Sequence, residues 1–172
     1  KKFENLPGVR VPTQTTRAFR LDYGPEAHLG RTTTLPAIEG SEYPALVSDI
    51  DDSFNELDGI RLPDLTVPVA TYTGWNLRDQ SIGNPNLFIG ITGGLAGWTL
   101  PLPATPEDRQ SSGDPRLSIK ERYACKEEYL KQVEAAARSL IDEGYFLAED
   151  LPEAMDRASR KYDYFLGNNH NS

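Results

Sequence analysis

Only two histidines and one cysteine occur among the 172 residues, which leaves imidazole and thiol chemistry few positions. Serine-based acyl transfer needs a hydroxyl on a strained turn beside a base, and its usual carrier is Gly-x-Ser-x-Gly between a strand and a helix. No such pentapeptide occurs. His170 lies in a polar tail, so a Ser-His-Asp set would rest on His28 alone, within Gly24-Pro25-Glu26-Ala27-His28-Leu29-Gly30. That turn-like setting reads as a loop histidine rather than a base. Cys125, in Tyr123-Ala124-Cys125-Lys126, has no second cysteine or adjacent histidine to activate it and reads as a small residue at a helix start.

Two stretches resemble ion or phosphate loops without completing them. Asp49-Ile50-Asp51-Asp52-Ser53-Phe54-Asn55 puts oxygen side chains at the first, third, fifth and seventh positions of a calcium loop. The sixth is Phe54 instead of glycine and the twelfth is Ile60 instead of glutamate, so a solvated hairpin loop is the better reading. Gly90-Ile91-Thr92-Gly93-Gly94-Leu95-Ala96-Gly97 is rich in glycine, but no Lys-Ser or Lys-Thr follows, which favours a tight loop that lets Trp98 and Leu100 pack. With no histidine or cysteine in ligand spacing, no metal and no cofactor is expected.

The most site-like stretch is Thr71-Tyr72-Thr73-Gly74-Trp75-Asn76-Leu77-Arg78. A strand ending in Gly-Trp-Asn can present a ring and an amide, and Arg61 just upstream carries a planar fork suited to a carboxylate or phosphate. Arg61, Tyr72, Trp75 and Asn76 are therefore the candidates for a substrate pocket or an interface. The structural alternative has Tyr72 and Trp75 filling a core while Arg61 pairs with an acid such as Asp64.

The elements that must position these residues change character along the chain. Residues 1–103 are punctuated by proline and glycine, which predicts short irregular strands and long loops. Strands are expected over residues 18–23, 43–50 and 67–73, the last two forming a hairpin across the loop around Asp51, with Pro68 restricting its strand to an edge. Residues 104–172 are helical. Thr105-Pro106-Glu107-Asp108 and Ser118-Ile119-Lys120-Glu121 carry capping signals. A helix from about Lys126 to Glu143 bears Leu130, Val133, Ala137, Leu140 and Ile141 at three- and four-residue spacing and stops at Gly144. A last helix opens at Asp150-Leu151-Pro152-Glu153, with Leu151, Ala154, Met155, Ala158, Tyr162, Phe165 and Leu166 along one stripe. The fold class is α+β, with both segments forming one lobe.

The charge balance limits partners. Asp and Glu total 26 against 18 Lys and Arg, a net charge of -8, and no basic run interrupts it, so nucleic acid is not an expected partner. No apolar run reaches membrane-spanning length. The residues leave the compartment open, and the opening Lys1-Lys2-Phe3-Glu4-Asn5-Leu6-Pro7 reads like a linker.

In order along the chain, Leu6-Pro7-Gly8-Val9-Arg10-Val11-Pro12-Thr13, Tyr43-Pro44-Ala45-Leu46-Val47, Gly59-Ile60-Arg61-Leu62-Pro63 and the stretch from Thr71 to Arg78 resemble the C-terminal third of a bacterial family, the alpha/beta hydrolase domain proteins. Pro103-Ala104-Thr105, Gly113-Asp114-Pro115-Arg116-Leu117-Ser118, Glu121-Arg122-Tyr123 and Leu151-Pro152-Glu153 continue the likeness. Where relatives tend to read Asp-Ala-Asp-Gly-Asn, this chain has Asp51-Asp52-Ser53-Phe54-Asn55.

The resemblance implies that the serine nucleophile and catalytic histidine lie upstream of Leu6, so no catalytic residue is carried onto this chain. It implies a soluble bacterial protein, cytoplasmic or exported, acting as the non-catalytic C-terminal lobe of an esterase- or amidase-type hydrolase. The lobe would pack on an α/β-hydrolase core, with an upstream catalytic domain and a small-molecule substrate as partners. The alternative is an independent protein- or ligand-binding module without enzymatic activity.

Overall fold

Two capping boxes and two amphipathic helices organise the C-terminal part of this chain, whose computed structural model describes residues 3–9, 19–43, 48–77, 88–89 and 97–167. The strands are β1 (Phe19–Asp22), β2 (Ile38–Glu42), β3 (Ala70–Thr73), β4 (Asn76–Leu77), β5 (Phe88–Ile89) and β6 (Trp98–Pro101). The helices are α1 (Pro63–Thr66), α2 (Pro106–Ser112), α3 (Ile119–Arg122), α4 (Lys126–Asp142) and α5 (Leu151–Gly167). The architecture is α+β, with three antiparallel two-stranded sheets, β1-β2, β3-β6 and β4-β5, among the described residues.

The helical end forms where the capping chemistry places it. The Thr105 hydroxyl accepts from Asp108 N at 3.1 Å while Asp108 accepts from Thr105 N at 3.1 Å, and Ser118 and Glu121 repeat the exchange at the start of α3. Cys125 is the N-cap of α4 and is exposed. α4 ends at Asp142, with Glu143 as its cap and Gly144 just beyond, whose φ of 82° is open to glycine at little cost. α4 and α5 pack on each other, with Val133, Ala137 and Leu140 of one and Ala158, Tyr162 and Phe165 of the other buried. The face of α4 is rotated slightly from the expected stripe: Tyr129 is buried at 1% exposure, while Leu130 and Ile141 are only half-buried. Tyr129 ties the core together, stacking on Tyr162 at 5.0 Å and meeting Tyr123 edge-on at 5.0 Å. Val67, Val69, Ala70 and Leu102 complete this core from the strand side.

Among the described residues, the expected hairpin between residues 43–50 and 67–73 is not found. Tyr43 lies outside β2, residues 44–47 lie outside the described residues, and Ile50 makes an isolated bridge to Glu56. β3 pairs instead with β6, in the register Ala70 to Pro101, Thr71 to Leu100, Tyr72 to Thr99 and Thr73 to Trp98. The reason is local. Pro63 opens the helical turn α1, which consumes residues up to Thr66, and Pro68 has no N–H for a ladder, so the strand begins only at Ala70. The expected strand over 18–23 is β1, whose partner is β2 instead.

The described residues fall into two compact units, one from 3–9, 48–77, 88–89 and 97–167, the other from 19–43. The first holds both apolar clusters. The second is built on the β1-β2 hairpin, with a bulge between Phe19 and Leu21 and with Leu21 and Ile38 exposed. His28 sits there in a short 3-10 turn, exposed. No helix among the described residues is long and apolar enough to cross a membrane.

Candidate functional site

The loop after Ile50 is a tight knot rather than a solvated arc. Asp51 Oδ1 accepts from Ser53 N at 2.7 Å and Asn55 N at 3.0 Å, while Asp51 N donates to Asn55 O at 2.9 Å and Asp51 O accepts from Phe54 N at 3.0 Å. An aspartate whose carboxylate folds back on the next backbone amides is a familiar turn former. Burial of the turn itself is less usual. Ser53, Phe54 and Asn55 are 3%, 4% and 0% exposed, so the solvated-loop expectation is overturned. Phe54 has a φ of 61°, a left-handed conformation costly for a residue with a side chain. Its ring meets Phe3 edge-on at 5.4 Å and joins Leu6 and Val9 in the second apolar cluster, alongside Ile50, Trp98 and Leu100. Burial of the ring offsets the backbone cost. Glycine would adopt this positive φ without that cost.

This loop sets the surroundings of Arg61 and Tyr72. Arg61 Nη2 donates to Asp51 Oδ2 and, at 2.9 Å, to Leu65 O. The partner of Arg61 is thus Asp51 rather than Asp64; Asp64 is held by Lys161 at 2.7 Å, across from α1 to α5. Tyr72 is tied to the loop by its backbone, its N–H donating to Asn55 Oδ1 at 2.8 Å. Its ring packs on the larger core beneath the Lys161 ammonium, 5.1 Å from the ring centre, and its hydroxyl is buried without a hydrogen-bond partner. Burial raises the ionisation of that hydroxyl well above the ordinary tyrosine range, and the Asp64 carboxylate adds to the effect. Trp75 meets Phe3 edge-on at 5.0 Å and its carbonyl accepts from the Thr73 hydroxyl. Asn76 lies opposite Ile89 in the β4-β5 pair. Arg78 and residues 90–96 of the glycine-rich stretch lie outside the described residues.

Two of the four candidates, Arg61 and Tyr72, are thus bonded to this loop, and the four do not line one cleft. Of two clefts in this unit, one is bordered by Leu62, Asp64, Tyr129, Phe146 and Arg157, the other by Asn5, Asp52, Phe54, Pro115 and Leu117. Neither is bordered by Arg61, Tyr72, Trp75 or Asn76.

Sequence reasoning passed over two further residues that hold the region together. Arg116, 4% exposed, donates from Nε and Nη2 to Asp114 at 3.0 and 2.6 Å, from Nη1 to Thr71 Oγ1 and Leu100 O at 2.9 Å each, and from Nη2 to Pro101 O at 2.9 Å. All five guanidinium N–H groups are engaged. Thr71 in turn donates to Ser53 O, so one chain of bonds runs from the turn before α3 through β3 to the Asp51 loop. The other overlooked residue is Asn55. The only signal in the sequence was Asp114-Pro115-Arg116, opposite charges two apart across a proline, but spacing alone does not distinguish a buried pair from a surface one.

The polar groups here fix backbone and carboxylates to one another; none is arranged to activate a nucleophile. Among the described residues no group of three or more histidine, cysteine, aspartate or glutamate side chains converges as metal ligands. A family model described as "Alpha/beta hydrolase domain" matches residues 9–156. Comparison with curated proteins and with solved structures gives no match.

Proposed function

We propose, from the premise that this chain belongs to the alpha/beta hydrolase domain family, that it serves a hydrolase of the esterase or amidase type as a non-catalytic lobe. The lobe stabilises the catalytic domain and shapes the substrate cleft. The observation that carries this reading is the commitment of the polar side chains. Arg61 and Arg116, whose planar forks suit a carboxylate or phosphate, are each engaged by carboxylates and carbonyls of the same unit. Such a region is built to hold shape. The sequence has no Gly-x-Ser-x-Gly elbow, and His28 stands exposed in a short turn.

In this reading Trp75 and Asn76, at the end of β3 and the start of β4, border the cleft or the surface against a catalytic domain in the same or an associated polypeptide. The first test is chemical: a serine-directed fluorophosphonate should leave the isolated chain unlabelled, and labelling would reveal a nucleophile and end the proposal. The second joins the chain to a catalytic domain of the family and replaces Trp75 and Asn76 by alanine. Ester hydrolysis should fall or its substrate preference shift. Unchanged hydrolysis together with unchanged stability would remove both residues from the cleft and the interface.

A further inference from the structure

On one edge of β3 a single side chain meets two backbone groups. In a strand the N–H and C=O of one residue point to the same edge, and those of its neighbours to the opposite one. Leu102 N donates to Val69 O at 3.1 Å, which assigns residues 69, 71 and 73 to the β6 side. Ala70 and Tyr72 therefore present their backbone groups to the other edge. There Asn55 Nδ2 donates to Ala70 O at 3.1 Å and Asn55 Oδ1 accepts from Tyr72 N at 2.8 Å.

This is the pattern that one residue of a parallel neighbouring strand makes, donating to the carbonyl before the residue it faces and accepting from the amide after it. A carboxamide carries one carbonyl and a donor in a single plane, so it reproduces a peptide unit. The residue it straddles, Thr71, turns its hydroxyl to Ser53 O, and Asp51 holds the Asn55 amide from behind. Asn55 has no exposed surface. The strand it covers, Val69-Ala70-Thr71-Tyr72-Thr73, has no charged residue and favours β structure at most positions, the composition that pairs readily with a copy of itself when an edge is open.

We propose that Asn55 is an edge plug: its side chain takes the place of a strand residue and prevents β3 from pairing with β3 of a second copy of this chain. This goes beyond the hydrolase reading and does not depend on it. The test compares Asn55→Ala with Tyr123→Phe, which removes a different buried bond, from the tyrosine hydroxyl to Pro68 O at 3.0 Å, without touching the edge.

In the native chain the Tyr72 amide should be strongly protected from hydrogen exchange. In Asn55→Ala its protection should fall by about tenfold or more, the loss expected of one buried hydrogen bond. Sedimentation at rising concentration should show increased self-association relative to the native chain. Tyr123→Phe should sediment as the native chain does. Open exchange of Tyr72 in the native chain, Asn55→Ala sedimenting like the native chain, or equal association of Tyr123→Phe would each overturn the proposal. Should Asn55→Ala not fold, Asn55→Asp keeps the acceptor for Tyr72 but sets an oxygen against Ala70 O; it should associate, and native-like sedimentation overturns the proposal equally.

Discussion

At the scale of single residues, two positions decide whether the strands and helices of the larger unit hold together. Arg116 and Asp114 are both buried, and their ion pair is favourable only because every guanidinium donor finds an acceptor. Arg116→Met should cost about 3–5 kcal/mol in urea unfolding, because it leaves the Asp114 carboxylate buried and uncompensated. Arg116→Lys should rescue little of this, since an ammonium has three donors and no planar fork. Phe54 sets two opposing effects against each other. Glycine there would relieve a positive φ, about 1–2 kcal/mol, but would delete a buried ring, about 3–5 kcal/mol, so Phe54→Gly should destabilise by about 2 kcal/mol. A midpoint equal to or above that of the native chain would show the backbone cost to be the larger.

Among the elements, the β3-β6 pair depends on close approach where it begins. A Cβ added to Gly97 would lie 2.4 Å from Thr73 O, a backbone atom that cannot swing away. Gly97→Ala should therefore cost about 1–3 kcal/mol and loosen amide protection at Trp98, both readable by thermal unfolding and hydrogen exchange. The elements also show what the sequence made legible. The capping residues Thr105 and Ser118, the start of α4 after Cys125 and its stop at Gly144 all rest on local chemistry, and all are found where the residues predict them. The strand over 67–73 shortened to β3 because Pro68 and the turn α1 competed for the same residues. The Asp51 loop was misread for a different reason. Asp-Asp-Ser-Phe-Asn has the composition of an exposed turn, and its burial depends on partners 15 and 17 residues away at Ala70 and Tyr72. Periodicity does not register a side chain that acts as a strand. Of the candidate residues, Arg61 has the kind of partner the sequence suggests but a different acid: Asp64 is nearer in sequence, and only the folding back of the loop brings Asp51, ten residues away, to the guanidinium.

For the whole molecule, the larger core is unusual in resting on four tyrosines. Burial raises the ionisation of Tyr72, Tyr123 and Tyr129 above their ordinary 10.0, with nearby Asp64 contributing at Tyr72 and Tyr129. Burial also raises Tyr162, the fourth ring of the group. A group whose folded value is raised stabilises the fold fully below its unfolded value and loses that contribution as pH rises through the folded one. Stability should hold up to about pH 10 and fall steeply above it, and in a chain whose other tyrosines are replaced by phenylalanine the tyrosinate absorbance of these four rings should rise together with unfolding rather than before it. Absorbance of that chain rising while the fold persists would place these four hydroxyls in contact with water.

The same larger unit is closed by Arg116, whose partners come from both strands of one pair and from its own turn: Thr71 on β3, Leu100 and Pro101 on β6, and Asp114. If β6 slid by two residues along β3, side chains would still face the proper sides, and the apolar pattern alone would scarcely object. The carbonyls of Leu100 and Pro101 would then be displaced from a guanidinium anchored to Thr71. Arg116 is thus a gauge of alignment: it measures whether the two strands have met at the correct rung, and a mismatched ladder leaves a buried positive charge short of its acceptors.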